Sequence, residues 1–255
     1  MGIIDIHTHM LYGVDDGAED MEMSLALMGM DYEQGVSGIF CTNHSYDMEV
    51  YYREYHRRFE KLSKAAADRY PGLSLYKGCE ILCYRDEMAE IVGNIKDDIF
   101  PTMNGTNYVL LEFEPYGTEG TEEMSYCANY VLDAGYTPII AHVERYKTIY
   151  DDPMTDMIRL RELGCLAQIN LYSVEQDRGN ASGEARRELA NLFLKNRLID
   201  FVGTDAHRTD YKSPEAAVGA AAIREKYGVE YAESVLYKNA ENALRVSPSV
   251  GTKHL

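Results

Sequence analysis

Short apolar runs alternate with amphipathic stretches along most of the chain. Each run is rich in β-branched or other apolar residues and ends in polar ones, which is typical of a buried strand. The runs are Gly2–Ile6, Gly38–Thr42, Leu73–Gly78, Tyr108–Leu111, Pro138–Ala141, Leu166–Ile169 and Ile199–Gly203. The stretches between them place apolar residues at helical spacing. Met21, Leu25, Met28 and Tyr32 are the first such stripe, and Gly35 follows where a C-cap is expected.

Strands that alternate with helices predict a parallel sheet and an α/β fold. We expect a closed or distorted (β/α) barrel of about seven strands, with an open doubly wound sheet as the alternative. The chain of 255 residues contains no linker or repeat. It is therefore predicted to form a single domain over residues 1–244, with a frayed tail over 245–255.

The composition narrows the range of partners. Asp and Glu number 42 against 25 Lys and Arg, which gives a net charge of −17 and makes nucleic acid an unfavourable partner. No apolar run is long enough to span a membrane, and the amino terminus lacks the basic region of a secretory signal. The five cysteines contain no C-x-x-C pair, which indicates reduced thiols and a cytoplasmic location.

Chemically reactive side chains collect where the predicted strands end. Five of the seven histidines and several acids occupy these positions: His7, His9, Asp16, His44, Glu80, Glu112, His142, Asp205 and His207. In a (β/α) barrel the carboxyl ends of all strands face one mouth, so these residues would converge. Mixed imidazole and carboxylate ligands suit Zn, Mn or Fe(II), and this set is large enough for two or three ions. Such clusters imply attack of a bridging hydroxide on phosphorus or a carbonyl group.

Simpler interpretations compete with the metal hypothesis. The histidines could be capping or core residues, and Asp15 and Asp16 could cap the helix that follows them. The segment from Cys79 to Arg85 matches the C-x5-R loop of thiol tyrosine phosphatases. It has no glycine between these two residues to let the backbone wrap a phosphate, which argues against a thiol mechanism.

The ordered set of motifs resembles the PHP (polymerase and histidinol phosphatase) superfamily. The motifs are H-T-H at 7–9, D-D-G-A at 15–18, His44, Glu80, Glu112, H-V-E-R-Y at 142–146 and T-D-A-H at 204–207. Within the superfamily the sequence is most similar to the bacterial capsular-polysaccharide (CpsB/CapC-type) tyrosine phosphatases. The likeness runs from His7 to about Lys212. It implies a distorted (β/α)7 barrel of the PHP type with a trinuclear metal centre, often manganese, held by the nine residues at the strand ends.

The resemblance also implies roles around the metal centre. Arg145 falls at the position of a phosphate-binding arginine, although a surface salt bridge to Glu144 or Asp151 is the simpler interpretation. The family has a second arginine where this chain has Lys212, and the neighbouring Arg208 could take its place. The general acid is left open between Asp16 and a ligand histidine, for which His44 is the candidate. Glu114, two residues beyond Glu112, is a rival for the ligand on the fourth predicted strand.

The implied activity is hydrolysis of phosphotyrosine on a protein. The family implies a partner, the tyrosine-rich tail of a bacterial tyrosine kinase that controls capsule or exopolysaccharide synthesis. Alternatives are a phosphatase for histidinol phosphate or another small phosphomonoester, and a PHP-like domain with a decayed site. A metal-dependent amidohydrolase is a further alternative. It is disfavoured because the fourth predicted strand, V-L-L-E-F, lacks the lysine that those barrels carbamylate. The oligomeric state is not indicated.

Overall fold

Eight short parallel strands organise the part of the chain that the structure describes. The computed structural model describes residues 2–114, 120–149, 151–175 and 181–245. The strands are β1 (Ile3–Thr8), β2 (Val36–Cys41), β3 (Ser74–Lys77), β4 (Glu80–Leu82), β5 (Tyr108–Glu112), β6 (Thr137–Ile140), β7 (Leu166–Asn170) and β8 (Phe201–Gly203). Each of the seven predicted runs overlaps a strand. The additional strand is β4, because the chain leaves one sheet after Lys77 and joins the other at Glu80.

The strands form two parallel sheets in chain order. One has the order β1-β2-β3 and the other the order β4-β5-β6-β7-β8. The predicted parallel α/β fold is therefore confirmed. A doubly wound sheet reverses its strand order at a switch point. Neither sheet shows such a reversal, so the open doubly wound alternative is wrong.

Two isolated bridges join the two sheets. Thr8 after β1 forms a parallel bridge with Ala206 beyond β8, and the His9 amide donates to the Ala206 carbonyl over 2.8 Å. His44 beyond β2 forms a second bridge with Glu80 at the start of β4. A Cβ at Gly203 would lie 2.5 Å from the His7 Cβ, so only glycine permits this close approach of β8 to β1.

Helical segments follow most of the strands. The α-helices are α1 (Met21–Glu33), α2 (Met48–Val50), α3 (His56–Arg69), α4 (Met88–Lys96), α5 (Gly120–Asp133), α6 (Pro153–Leu163), α7 (Ala181–Lys195), α8 (Ala216–Tyr227), α9 (Val229–Glu233) and α10 (Asn239–Ala243). The predicted stripe on α1 buries Leu25 and Met28, and Gly35 has the positive φ of 89° expected after a helix end. The α1 N-cap is Asp20, whose side chain accepts from the Met23 amide. The capping interpretation of Asp15 and Asp16 is therefore wrong.

A π-helical turn, Tyr51–Tyr55, joins α2 to α3 and supports the strand ends. The Tyr55 hydroxyl lies 2.8 Å from the carbonyl oxygens of both Cys41 and Gly78. The Tyr51 hydroxyl donates to the Asn43 carbonyl, and the two tyrosine rings stack at 4.8 Å. These contacts fix the backbone that leads to His44 and Glu80.

The buried apolar side chains form two clusters. The larger packs the helices against the sheets. The smaller combines residues from both sheets, including Ile4 and Phe40 from the first and Leu110, Ile139 and Phe201 from the second. The sheets therefore share an interior. Within the described ranges, no helix combines the length and apolar character that crossing a bilayer requires. Of the predicted frayed tail, only Arg245 is among the described residues.

A buried pair of carboxyl groups joins β1 to α1. Asp5 accepts from the amides of His7 and Thr204, and Asp31 is fully buried beside it. Burial and the neighbouring Asp5 carboxylate hold the pKa of Asp31 well above its usual range. The folded chain therefore keeps a proton on Asp31 that the unfolded chain loses above about pH 4. Stability should consequently fall as the pH rises from that point.

Replacing Asp31 by asparagine should remove this pH-dependent loss. Asn keeps the shape and donates a hydrogen bond to Asp5 without needing a proton. We expect the variant to be more stable at pH 7 by roughly 1–3 kcal/mol, with a smaller gain near pH 4. Urea unfolding at both pH values would measure this, with Asp68→Asn on the exposed face of α3 as the control. A variant less stable at pH 7 than the wild type would contradict the raised pKa of Asp31.

Candidate metal centre

The side chains predicted as metal ligands come together at the carboxyl ends of the strands. Each follows a strand or lies at its end, except Glu80, which begins β4, and Asp16 in the loop after β1. Eight are at most 7% exposed: His7, His9, His44, Glu80, Glu112, His142, Asp205 and His207. Asp16 is the exception, with 69% of its side chain exposed. The burial of so many ionisable groups requires that they compensate one another or bind cations.

Glu80 lies at the centre of the cluster. Its Oε2 is 3.1 Å from His7 Nε2, 3.2 Å from His9 Nε2 and 3.0 Å from His44 Nδ1. Its Oε1 is 2.8 Å from His142 Nε2. Burial would raise the pKa of Glu80, but the charges of His7 and His44 hold it well below its usual range. The carboxylate is thus kept ionised, as a metal ligand must be.

Unpaired donor and acceptor atoms show that the cluster suits a cation. Glu80 Oε2 and His44 Nδ1 are buried and close together, yet neither has a hydrogen-bond partner of acceptable geometry. Ligand atoms that converge without a hydrogen bond between them are the arrangement that a metal ion completes. Four groups have ligand atoms within 4.8 Å of one another: His9/Asp16/His44/His207, His7/Glu80/His142, His7/His9/Asp205 and His44/Glu80/Glu112. The residues present therefore fit metal ions.

The protonation of the histidines is set by their neighbours. Burial would lower the pKa of His44, but Glu80 outweighs it and raises the value to about 9. Burial and the charge of His9 instead lower the pKa of His207 to about 2. His207 is thus a neutral imidazole ready to bind a cation, whereas a cation at His44 must displace a proton.

The structure distinguishes Glu112 from Glu114. Glu112 ends β5 with its Oε2 3.1 Å from His44 Nδ1. Glu114 lies beyond the strand and its Oε1 accepts from the exposed Tyr84 hydroxyl over 2.8 Å. Only Glu112 is brought into the cluster.

The three candidate phosphate-binding cations differ in position. Arg145 lies in the helical turn after His142, and its Nη1 is 3.0 Å from Asp205 Oδ2. Arg145 is not the surface salt-bridge residue of the simpler interpretation, because its side chain is only 16% exposed and pairs with the buried Asp205. Its Nε is buried without a hydrogen-bond partner. An anion held beside Asp205 would satisfy this unused donor.

Lys212 enters the same cluster, whereas Arg208 does not. Lys212 Nζ is 3.3 Å from His207 Nε2 and 3.5 Å from Asp205 Oδ2. Its backbone has a positive φ of 48°, so the turn after His207 directs this side chain inward at a conformational cost. Arg208 pairs with Glu19 and lies 3.6 Å from Asp210. Of the two, Lys212 is the cation next to the candidate ligands.

Several polar residues that orient the ligands were not predicted from the sequence. Gln168 Oε1 is 3.0 Å from His7 Nδ1 and accepts from the His142 amide over 2.8 Å. Asn170 Nδ2 donates to Asp205 Oδ2 over 3.1 Å. The available signal was Q-I-N at the end of β7, where alternate residues project to one side.

Asp15 orients the ligands from the opposite side. Its Oδ2 is 2.7 Å from His9 Nδ1 and accepts from the His44 amide, also over 2.7 Å. Its Oδ1 accepts from Asn43 Nδ2. The contact of the Asp15 carboxylate with Nδ1 fixes the His9 ring so that its Nε2 faces the cluster. Metal-binding histidines are commonly held by a carboxylate in this way.

The positions of Cys79 and Arg85 contradict the thiol-phosphatase interpretation. Cys79 is 1% exposed and burial raises the pKa of its thiol well above the usual range. Arg85 Nε is bonded to Glu123 over 2.9 Å on the surface. The two ends of C-x5-R therefore do not form a phosphate-binding loop.

Comparisons with known proteins agree with this geometry. The family model for capsular polysaccharide synthesis, CpsB/CapC, matches residues 3–245. A tyrosine-protein phosphatase CpsB from Streptococcus agalactiae serotype III is 30% identical over 246 residues, covering 95% of this chain and 98% of its own. The namesake from Streptococcus pneumoniae is 31% identical over 243 residues, covering 93% and 96%.

A solved structure shows the same fold. It comes from a study of YwqE from Bacillus subtilis and CpsB from Streptococcus pneumoniae, described as unique metal-dependent tyrosine phosphatases. The match has a TM-score of 0.81 at 26% identity and covers 95% of this chain and 94% of that one. With the family model matched over nearly the whole chain, this protein belongs to the CpsB/CapC family of capsular polysaccharide synthesis.

Proposed function

We propose that this protein is a metal-dependent phosphatase that hydrolyses phosphotyrosine on proteins. The observation that carries the proposal is Glu80 Oε2, buried within 3.2 Å of three imidazole nitrogens and lacking a hydrogen-bond partner. The names of the relatives, tyrosine-protein phosphatases, supply the substrate class. We propose that two or three divalent ions, manganese first and iron or zinc as alternatives, are held by the nine residues predicted from the strand ends.

Ions bound in this cluster would polarise a phosphoryl oxygen and lower the pKa of a water molecule near phosphorus. Arg145 is the chain's own contribution to phosphate binding. The planar guanidinium of Arg145 lies beside Asp205, which its Nη1 contacts. Its buried Nε has no hydrogen-bond partner and can donate to an equatorial phosphoryl oxygen. Negative charge that develops on these oxygens would be stabilised by this fixed guanidinium.

Lys212 adds a second positive charge. Its ammonium lies 3.5 Å from Asp205, close enough to attract the same phosphoryl group. Lysine binds phosphate as a point charge and cannot make the bidentate contact of an arginine. We therefore assign orientation of the phosphoryl group to Arg145 and attraction to Lys212. Arg208, already paired with Glu19, takes no part.

The leaving phenolate has a pKa of about 10 and needs little help from an acid. If a proton is delivered, Asp16 is the better placed of the two candidates, provided that its carboxyl group is not bound to a metal ion at that step. Its side chain is 69% exposed and its Oδ1 is 3.6 Å from His207 Nε2 and 3.9 Å from His44 Nε2, at the open side of the cluster. The Nδ1 atom of His44 already contacts Glu80 at 3.0 Å and Glu112 at 3.1 Å, so His44 is less available as an acid.

The setting of the enzyme is part of the proposal. The physiological substrate would be the tyrosine-rich tail of a bacterial tyrosine kinase that controls capsule or exopolysaccharide synthesis. The cytoplasm is supported by five cysteines that are all buried free thiols. Residues 1–244 would form one domain, in which the two sheets close into a distorted (β/α)7 barrel of the PHP type. In that count β3 and β4, which lie one after the other beside β2 and its continuation, form a single interrupted strand. The bridge from β1 to the segment beyond β8, and the bridge from the segment beyond β2 to β4, support that closure.

One experiment tests the activity directly. Elemental analysis of the purified protein should find divalent metal. A chelator should abolish hydrolysis of a phosphotyrosine peptide, and Mn(II) should restore it. Iodoacetamide is the control and should leave activity intact, because the five thiols are buried. Inhibition by iodoacetamide with indifference to chelators would overturn the proposal, as would turnover of histidinol phosphate or an amide in preference to the peptide. A protein that binds no metal would instead be a decayed PHP-like domain.

A further inference from the structure

One aromatic residue borders the candidate metal centre without a role in the mechanism above. The ring of Tyr46 stacks on the imidazole of His44, with centroids 4.2 Å apart and planes inclined by only 9°. Its hydroxyl donates to Glu112 Oε2 over 3.3 Å. Both partners are candidate ligands, so the ring is fixed at the edge of the centre by two independent contacts.

Tyr46 is nevertheless open to solvent. The residue is 61% exposed, whereas His44 beneath it is 7% exposed. One face of the ring is covered by the imidazole, so the exposure belongs to the opposite face and the ring edge. A flat apolar surface is thus held in a fixed orientation within one ring thickness of the metal ligands. Its conformational entropy is already reduced, which favours contact with a second ring.

The chemistry of the substrate gives this surface a use. In an aryl phosphate the aromatic ring is separated from phosphorus by a single oxygen. A phosphoryl group held by Arg145 and the cluster would therefore carry its ring to the rim of the centre. An alkyl phosphate would bring only a flexible aliphatic chain to the same place. The open face of Tyr46 can distinguish the two because aromatic pairs attract beyond the area they bury.

We propose that Tyr46 is a specificity-determining residue, whose exposed ring face packs against the aromatic ring of the substrate and favours aryl over alkyl phosphates. This inference rests on the proposed phosphatase function and deepens it. The contact acts in binding, so it should appear mainly in KM. The advantage expected from one aromatic pair is about twofold to twelvefold in kcat/KM.

The test compares two substrates in three variants with metal bound. Tyr46→Leu removes the ring, and Tyr46→Phe keeps the ring while removing the bond to Glu112. Tyr52→Leu is the matched control, since Tyr52 is 71% exposed in the adjoining π-helical turn. Each variant is assayed with a phosphotyrosine peptide and with a phosphoserine peptide of the same sequence, and its metal content is measured.

We expect Tyr46→Leu to lower the ratio of kcat/KM for the phosphotyrosine peptide to that for the phosphoserine peptide by about twofold to twelvefold, mostly through KM, at unchanged metal content. Tyr46→Phe and Tyr52→Leu should keep the wild-type ratio. A Tyr46→Leu protein with the wild-type ratio would overturn the inference. Equal loss on both substrates together with loss of metal would also overturn it, because Tyr46 would then only pack against His44. A wild-type protein inactive on the phosphotyrosine peptide would overturn the proposed function as well.

Discussion

Glu80→Gln is expected to remove bound metal and abolish phosphatase activity together. The substitution preserves size but replaces one carboxylate oxygen by an amide nitrogen. In the native chain Glu80 Oε2 faces the imidazoles of His7, His9 and His44 within 3.2 Å. An amide group there would bring hydrogens toward the cation and would remove the negative charge that compensates it.

The size of the effect can be bounded from below. Residues that merely orient a metal ligand change affinity or activity by about 10-fold to 100-fold when mutated. Glu80 touches four candidate ligand histidines directly, so we expect a loss of kcat/KM of at least about 100-fold. Elemental analysis and assays at saturating Mn(II) would measure both losses.

Glu114→Gln is the matched control. Glu114 lies near the same strand end but pairs with the exposed Tyr84, so metal content and activity should stay at wild-type levels. Circular dichroism would show that both variants are folded. A folded Glu80→Gln protein with wild-type metal content and turnover would refute the central position of Glu80. Equal losses in both glutamate variants would refute the choice of Glu112 over Glu114.

Arg145→Lys is expected to reduce turnover while metal content stays unchanged. Arg145 contacts Asp205 from one side of its guanidinium and keeps a buried, unpaired Nε. Lysine retains the charge but loses the planar fork that can hold two phosphoryl oxygens. Removing one fixed donor to a developing oxyanion typically costs about 10²-fold to 10³-fold in turnover, and we expect a loss in that range.

Arg208, which follows the candidate ligand His207 in the sequence, serves as the control. Arg208 is paired with Glu19, so Arg208→Lys should retain activity within about twofold. Steady-state kinetics on a phosphotyrosine peptide, with metal analysis of each protein, would compare the variants. Full activity in Arg145→Lys would show that orientation by the guanidinium is dispensable. Loss of metal in that variant would show that Arg145 acts by holding Asp205 rather than phosphate.

The patterning of the chain predicted the elements well because it reflects burial. All seven apolar runs overlap strands, and the stripe that begins at Met21 lies on α1, which buries Leu25 and Met28. The number of strands was harder to predict. β4 has only three residues and begins with the polar Glu80, so the apolar pattern did not indicate a strand there. Its role as a strand depends on pairing with β5, a contact between distant segments.

The candidate centre could be predicted from the sequence because of the topology of the fold. When parallel strands are joined by helices, their carboxyl ends meet at one side, so polar residues that follow strands meet there too. Histidines and acids at successive strand ends thus pointed to one cluster without knowledge of any distance. The resemblance to PHP phosphatases added the roles. The structure brings together all the predicted candidates except Arg208 and the rival Glu114.

The sequence by itself determined the parallel α/β class and the family, together with the kinds of ligand atom available at the strand ends. These depend on local periodicity and on the order of motifs along the chain. Only the tertiary structure decided which of two close residues enters the centre, as with Glu112 and Lys212. It alone also revealed the supporting contacts of Gln168 and the stacking of Tyr46 on His44. Such choices depend on side-chain directions beyond the strand ends and on partners far away in sequence, which no local pattern encodes.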